Sequence, residues 1–539
     1  MSPTPPRSSH PHSTNLVQRL LDYHINMGQD ISAAPPSGAK NQQQDPEAGL
    51  QKVATPTQSY PDNTDDNNNI FGESSELNDD RMKQIAAEGN AHFHRLGWKR
   101  LSIVLVVEAV ALGALSLPSA FHTLGMILGV FLTVFLGLAA VFTSYIVGEV
   151  KLAFPDISHY ADAGRLLLGK IGLGRLGYEV FGAAFVLELL LVVGSHALTG
   201  SIALVTINGG HVCSIAFSAV SAIILLILAI PPSFTEVAIL GYIDFVSILA
   251  AIGLTIIATA IQASDSPGGL SGVTWSAYPK DDLSFSEAFV AVSNIVFAYS
   301  FAIGQFSFMD EMHTPKDFMK SIWANGVMQV LIYTLTGALC YAFIGSTVQS
   351  PALLSAGELI SKIAFGIALP VIFISGSINT TVALRYVHGR IYKNSIHRYI
   401  NTPIGWASWI LIVAVFTIIA WIIAETIPIF SDLLSLCSAL FVSGFSFYIP
   451  GIMWFVFLCK GKWYARENIA MSIGSIIVFI IGIVVLVGGT YSTIVDIVSH
   501  LTSEARAMTR LLITHRITKS RPVATTHHSP ADRFRGWRI

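Results

Sequence analysis

Charge is scarce in this chain. Only 12 % of its 539 residues are Asp, Glu, Lys or Arg, while 52 % are hydrophobic, and the mean hydropathy is +0.58. A soluble domain carries roughly 25 % charged residues, so the composition excludes an ordinary water-soluble globule and implies an integral membrane protein. Neither sign dominates: 32 Lys and Arg stand against 34 Asp and Glu, a net charge of −2, which points to no nucleic-acid or acidic partner. Cysteine is nearly absent. The four, Cys213, Cys340, Cys437 and Cys459, fall in apolar stretches without Cys-x-x-Cys or Cys/His spacing, which excludes a zinc site or a disulfide framework. No metal or cofactor is expected. Gly-x-Ser-x-Gly, a phosphate-binding Gly-Lys-Ser/Thr loop and an intramembrane His/Glu metal pattern are all missing, so nothing argues for an enzyme. Residues 1–20 lack the apolar core of a signal peptide. The one Asn-x-Ser/Thr sequon, Asn379-Thr380-Thr381, sits inside an apolar run where glycosylation has no access.

What is present divides into three parts. Residues 1–97 are polar, with MSPTPPRSSHPHS, NQQQDPEAG and PDNTDDNNN and few large apolar side chains. Such a composition cannot bury enough surface to offset chain entropy, so a disordered cytoplasmic tail is expected. Residues 98–498 form the membrane domain, and 499–539 a basic tail expected to be unstructured. Within the domain, eleven apolar stretches are long enough to cross ~30 Å of hydrocarbon. They lie near 101–121, 123–149, 178–207, 212–230, 237–262, 286–308, 321–345, 358–386, 404–424, 432–458 and 469–489. Lys and Arg gather in alternate loops, at Lys151, Arg165, Lys170 and Arg175, at Lys316 and Lys320, at Arg385, Arg390, Lys393 and Arg398, and at Lys460, Lys462 and Arg466. The opposite loops hold only Lys280. The positive-inside rule therefore places the N-terminus in the cytoplasm. Eleven crossings put the C-terminus outside, where the basic tail from Arg506 to Arg538 runs against that rule.

Two spans carry interruptions. The first contains Gly113-Ala114-Leu115-Ser116-Leu117-Pro118, and the sixth, AVSNIVFAYSFAIGQFSF, contains Asn294, Tyr299, Ser300, Gly304 and Gln305. Pro removes a helix donor and Gly permits unwinding, and freed backbone groups at membrane depth need protein, water or ligand. Spans one and six correspond if the domain is two five-span halves plus one extra helix. Interrupted segments at matching positions mark a transporter's binding site. The fold expected is an all-α membrane protein of eleven helices, a five-plus-five inverted repeat with one extra helix, with helices one and six broken.

The stretches GWKRLSIVLVVEAVALGALSLPSAFHTLG and FAYSFAIGQFSFMDEMHTPKDFMKS, with its EM-x-x-P-x-DF pattern, and the terminal GGTYSTIVDIV resemble the amino acid/auxin permease family over about residues 97–498. The likeness is greatest to its fungal neutral amino acid permeases. The family is similar in fold to the bacterial leucine transporter. One departure is Ala111, where the family often has the first Gly of Gly-x-Gly. The resemblance implies a secondary transporter importing amino acids by proton symport, with sodium as the alternative ion. The plasma membrane is the expected location, with the vacuolar membrane as the alternative, and a non-transporting amino acid sensor is the competing class.

The amides near Ala114, Leu115 and Ser116, at a half-helix start, suit a carboxylate. Carbonyls near Phe297, Ala298 and Tyr299 suit an ammonium, and the rings of Phe297, Tyr299 and Phe301 suit a side-chain wall or simple packing between helices. The substrate site is thus expected at Gly113, Ala114, Leu115, Ser116, Phe297, Ala298, Tyr299 and Phe301. Glu108, Asp244, Ser377 and Thr381 are coupling candidates. Glu108 is a coupling acid or a partner for a polar group, and Asp244 a proton carrier or an interface residue. Ser377 and Thr381 are cation ligands by resemblance or polar packing between helices. Glu188 and His196, eight apart on one face of the third span, are a proton relay or structural polar groups.

Overall fold

The computed structural model describes residues 97–210, 213–232, 234–310, 312–393, 395–400 and 402–503, all within one unit, Asn69–Ile539. The expected tail at residues 1–96 and the basic residues from Arg506 onward lie outside the described residues. Every described element is helical, the solution hydrocarbon demands, because each backbone N–H and C=O must find its partner within the chain.

In chain order the helices are α1 (Trp98–Leu124), α2 (Met126–Ala153), α3 (Tyr160–Gly169), α4 (Gly174–Asn208), α5 (Ser214–Leu228), α6 (Phe234–Asp265), α7 (Phe285–Ala298), α8 (Gln305–Asp310), α9 (Phe318–Ile344), α10 (Glu358–Ile391), α11 (Pro403–Thr426), α12 (Phe430–Leu458) and α13 (Ile469–Ser503). Among the described residues nine of these, not eleven, are long and apolar enough to span a membrane. The other two expected spans are the short apolar helices α5 and α7. Fifteen residues of α5 reach about 22 Å at 1.5 Å per residue, less than the hydrocarbon thickness. The last helix runs past residue 498 to Ser503.

The layout is centred on α1. Of its apolar window 88 % is buried, against 28 % for α13, whose Ile473, Ile480, Val484 and Val487 point outward as lipid-facing side chains do. Helix α1 packs along α6, α7 and α9, while α4 packs along α10 and α3. The expected break in the first span is corrected here: α1 is helical throughout, with Pro118 inside it. Pro118 deprives the Ala114 carbonyl of its donor. The Ser116 hydroxyl donates to the Gly113 carbonyl at 2.9 Å and that of Ser119 to the Ser116 carbonyl at 2.9 Å, so both hydroxyls beside the proline are satisfied within the helix. Helix α10 likewise continues through Pro370, where Ser247 of α6 donates to the Ile367 carbonyl.

The sixth segment differs. Helix α7 stops at Ala298, a single 3₁₀ turn covers Ser300–Ala302, and α8 resumes at Gln305.

Candidate functional site

Helix α1 packs along the sixth segment, and at Gly113 the two backbones approach closely. A Cβ on Gly113 would lie 2.7 Å from the Ala298 Cα, 2.9 Å from its Cβ and 3.3 Å from the Tyr333 hydroxyl. Gly113 thus serves close backbone approach, not unwinding: any side chain there would push α1 away from the end of α7.

The interruption is held from three sides. Tyr333 of α9 donates to the Ala298 carbonyl at 2.8 Å, and Ser446 of α12 donates to the Tyr299 carbonyl at 3.4 Å. The Tyr299 hydroxyl donates to the Thr133 carbonyl of α2 at 2.7 Å, and the Tyr299 and Tyr333 rings meet edge to face with centroids 5.2 Å apart. These donors supply carbonyls that a helix end leaves without an intrahelical partner. Two of the three carbonyls assigned to an ammonium already have protein donors, and the Tyr299 ring is directed at α2 and α9.

Beside the interruption lies a cavity of about 10 Å³, lined by Leu112, Glu188, Val192, His196, Phe297, Ser300, Ile303 and Asn379. That volume holds roughly one water, so an amino acid enters only when the surrounding helices separate. Four elements supply its wall: α1, α4, the sixth segment and α10. Phe297 is the expected site residue that reaches it. Ala114, Leu115 and Ser116 are buried within α1, and their backbones belong to its helix. The side chains of Phe301 and Glu108 lie outside the described residues.

The coupling candidates are scattered. Asp244 on α6 is fully buried, and neither carboxylate oxygen has a hydrogen-bond partner among the described residues. Ser377 and Thr381 on α10 are buried and donate to their own helix, to the Ile374 carbonyl at 2.7 Å and the Ser377 carbonyl at 3.0 Å.

A clamp on α8 went unread in the sequence. Lys151, 5 % exposed, pairs with Asp310 at the end of α8 and donates to the Pro155 and Ile157 carbonyls at 2.6 and 2.5 Å. His159 Nδ1 is 2.9 Å from the Ser307 hydroxyl, Gln305 donates to the Ser144 carbonyl at 2.7 Å, and Tyr160 donates to the Phe445 carbonyl at 2.8 Å. Burial first, then the charges of Arg385, Arg398 and Lys151, lowers the His159 imidazole to about 3. The ring is therefore neutral where it holds α8. Helix α3 starts here because Asp162 accepts from the Ser158 and His159 amides, both at 3.2 Å. That Asp at the third helical position was a visible signal. The Lys151–Asp310 pair, 159 residues apart, left none.

The profile of the family described as transmembrane amino acid transporter protein matches residues 94–495. The chain belongs to that family. It is similar to the N amino acid transport system protein of Neurospora crassa, 58 % identical over 419 residues, 76 % of this chain and 87 % of that one. A transmembrane transporter of Fusarium pseudograminearum is 26 % identical over 410 residues, 75 % of this chain and 84 % of that one. Among solved structures, a nucleobase-cation-symport-1 family transporter in a closed conformation with bromovinylhydantoin bound has a TM-score of 0.46 and 12 % identity, covering 77 % of this chain and 94 % of the other. As a member of the amino acid transporter family the protein is a multi-pass membrane transporter and not an enzyme.

Proposed function

We propose that the protein imports neutral amino acids, aromatic and aliphatic, by proton symport with alternating access, at the plasma membrane and with its N-terminus in the cytoplasm. One observation carries the reading. The interruption between α7 and α8 borders a buried cavity whose remaining walls come from α1, α4 and α10. Interrupted helices beside a midplane cavity are how transporters present polar backbone to a solute. The name of the Neurospora relative supports amino acids as that solute. In this reading the eleven crossings are the nine long helices plus α5 and α7, arranged as five plus five with one extra. Phe297 flanks the substrate side chain. Gly113 to Ser116 form the α1 surface against which the sixth segment moves, and Ala298 and Tyr299 are the joints that move.

For coupling, Asp244 is the leading group. An isolated buried carboxylate costs far more than the protonated acid, so Asp244 takes up and releases a proton as its access to water opens and closes. Intramembrane acids are functional candidates by default, and Glu108 on α1 is the second. A sodium ion held by Ser377 and Thr381 would want unwound carbonyls from the first span, and the continuity of α1 favours the proton instead.

The test is uptake of labelled neutral amino acids into vesicles holding the purified protein, with and without an inward proton gradient. Accumulation that needs the gradient and ignores sodium is expected. Binding without accumulation would replace transport by sensing, and a tagged copy at the vacuole would move the location.

A further inference from the structure

Resting on the transport reading, we infer that the substrate's ammonium is received by Glu188 of α4, with His196 Nδ1 as a second acceptor, and not by the carbonyls of the interruption. The cavity supplies the first argument. Glu188, Val192 and His196 are spaced by four and four, so one face of α4 lines it. Glu188 and His196 are 0 % and 1 % exposed, near the middle of a 35-residue helix and hence deep in the membrane, where ionisable groups are costly and mark solute paths.

The second argument is the occupation of the alternatives. The Ala298 and Tyr299 carbonyls already accept from Tyr333 and Ser446, and α1 has no unwound turn. The third is the state of His196. Its ring hydrogen-bonds the Ile372 backbone, while Nδ1 has no partner among the described residues. A carbonyl accepts only from an N–H, so Nε2 carries the hydrogen and Nδ1 is an acceptor. The α4 face therefore offers one acid and one bare nitrogen acceptor, a set that fits a group with several N–H donors. Opposite them, the Ser300 hydroxyl and the Asn379 carboxamide supply donors suited to the substrate carboxylate, and Leu112, Ile303 and Phe297 supply apolar wall.

The test compares an amino acid with its 2-hydroxy acid, which replaces ammonium by hydroxyl and keeps everything else. Against labelled amino acid uptake by the wild-type protein, amino acid methyl esters should compete and 2-hydroxy acids should not. Equal competition by the hydroxy acid would overturn the assignment without any variant. Glu188→Gln should lose at least about tenfold in kcat/KM for the amino acid and discriminate less between the two solutes, with membrane insertion and thermal stability checked in parallel. An inserted variant that keeps the wild-type KM and discrimination would also overturn it. Absence of uptake by the wild-type protein would instead remove the transport reading, and this assignment with it.

Discussion

The first and sixth segments read alike in sequence and fold differently. Both interrupt an apolar run with residues that a good helix avoids. Yet α1 passes through Gly113 and Pro118 unbroken, while the sixth segment stops at Ala298 and restarts at Gln305. The difference lies in where the polar groups find partners. Around Pro118, serines three residues apart return hydroxyls to their own helix. At Ala298 and Tyr299 the partners come from α9 and α12. A helix whose polar groups are met locally stays whole, and one whose carbonyls are met by other helices can open there at little cost. Proline by itself is a poor guide: α10 also passes through one.

Gly113→Leu attacks this comparison where the two segments touch. A Cβ alone would stand 2.7 Å from the Ala298 Cα, and overpacking of this kind costs about 1–3 kcal/mol or more. Uptake should be abolished while surface labelling stays normal; normal uptake would remove the α1–α7 contact from the mechanism. Next in size is Lys151→Met, which leaves Asp310 without its cation. Asp310 is 33 % exposed, so the loss is discounted to about 1–3 kcal/mol from the 3–5 of a fully buried pair. Cysteines placed near Gln305 should react faster with a water-soluble thiol reagent, by roughly tenfold, and unchanged reactivity would show that the clamp does not hold α8.

Tyr333→Phe removes the donor to Ala298 and leaves a buried carbonyl short of one bond, worth about 1–2 kcal/mol. A lower thermal midpoint and a several-fold change in KM are expected, where an unchanged KM would separate the interruption from the substrate. His159 tests the same region through pH. Its imidazole is held down at about 3 when buried, and its ordinary value is 6.5. The neutral ring stabilises the clamp fully above pH 6.5, and that contribution is lost progressively as pH falls below it towards 3. Acidification from pH 7.5 to 5.5 should loosen α8 in the same cysteine assay, and His159→Gln should flatten the response. The smallest effect belongs to Ser116→Ala. Its hydroxyl serves only its own helix, so uptake should change less than about twofold, in line with an exchangeable bond of ~0.5–1.5 kcal/mol. A collapse of uptake would mean that α1 does unwind during transport, and the contrast between the two segments would fail.

Legibility followed the range of the interactions. Helical class and the approximate positions of the spans rest on long apolar runs, a local property, and α5 and α7 fell short because span length is a threshold that neighbouring helices can relax. Glu188 and His196 were visible as one face of a helix, and only the cavity joined that face to Phe297, Ser300 and Asn379. Tyr299 was legible as a ring beside an interruption, but its direction towards Thr133 depends on a helix 166 residues away in sequence.

Composition and local pattern by themselves determined that this chain is a helical membrane protein, which stretches are apolar, and which motifs resemble an amino acid permease. Hydrophobicity and helix period act within a turn or two, so they survive in the linear order of residues. The tertiary structure decided that Gly113 is a point of contact, that Pro118 leaves α1 whole, that Lys151 clamps Asp310, and that an acid and an imidazole on α4 face the interruption. Each of these depends on which helix stands opposite, and that is settled by packing among segments far apart in the chain.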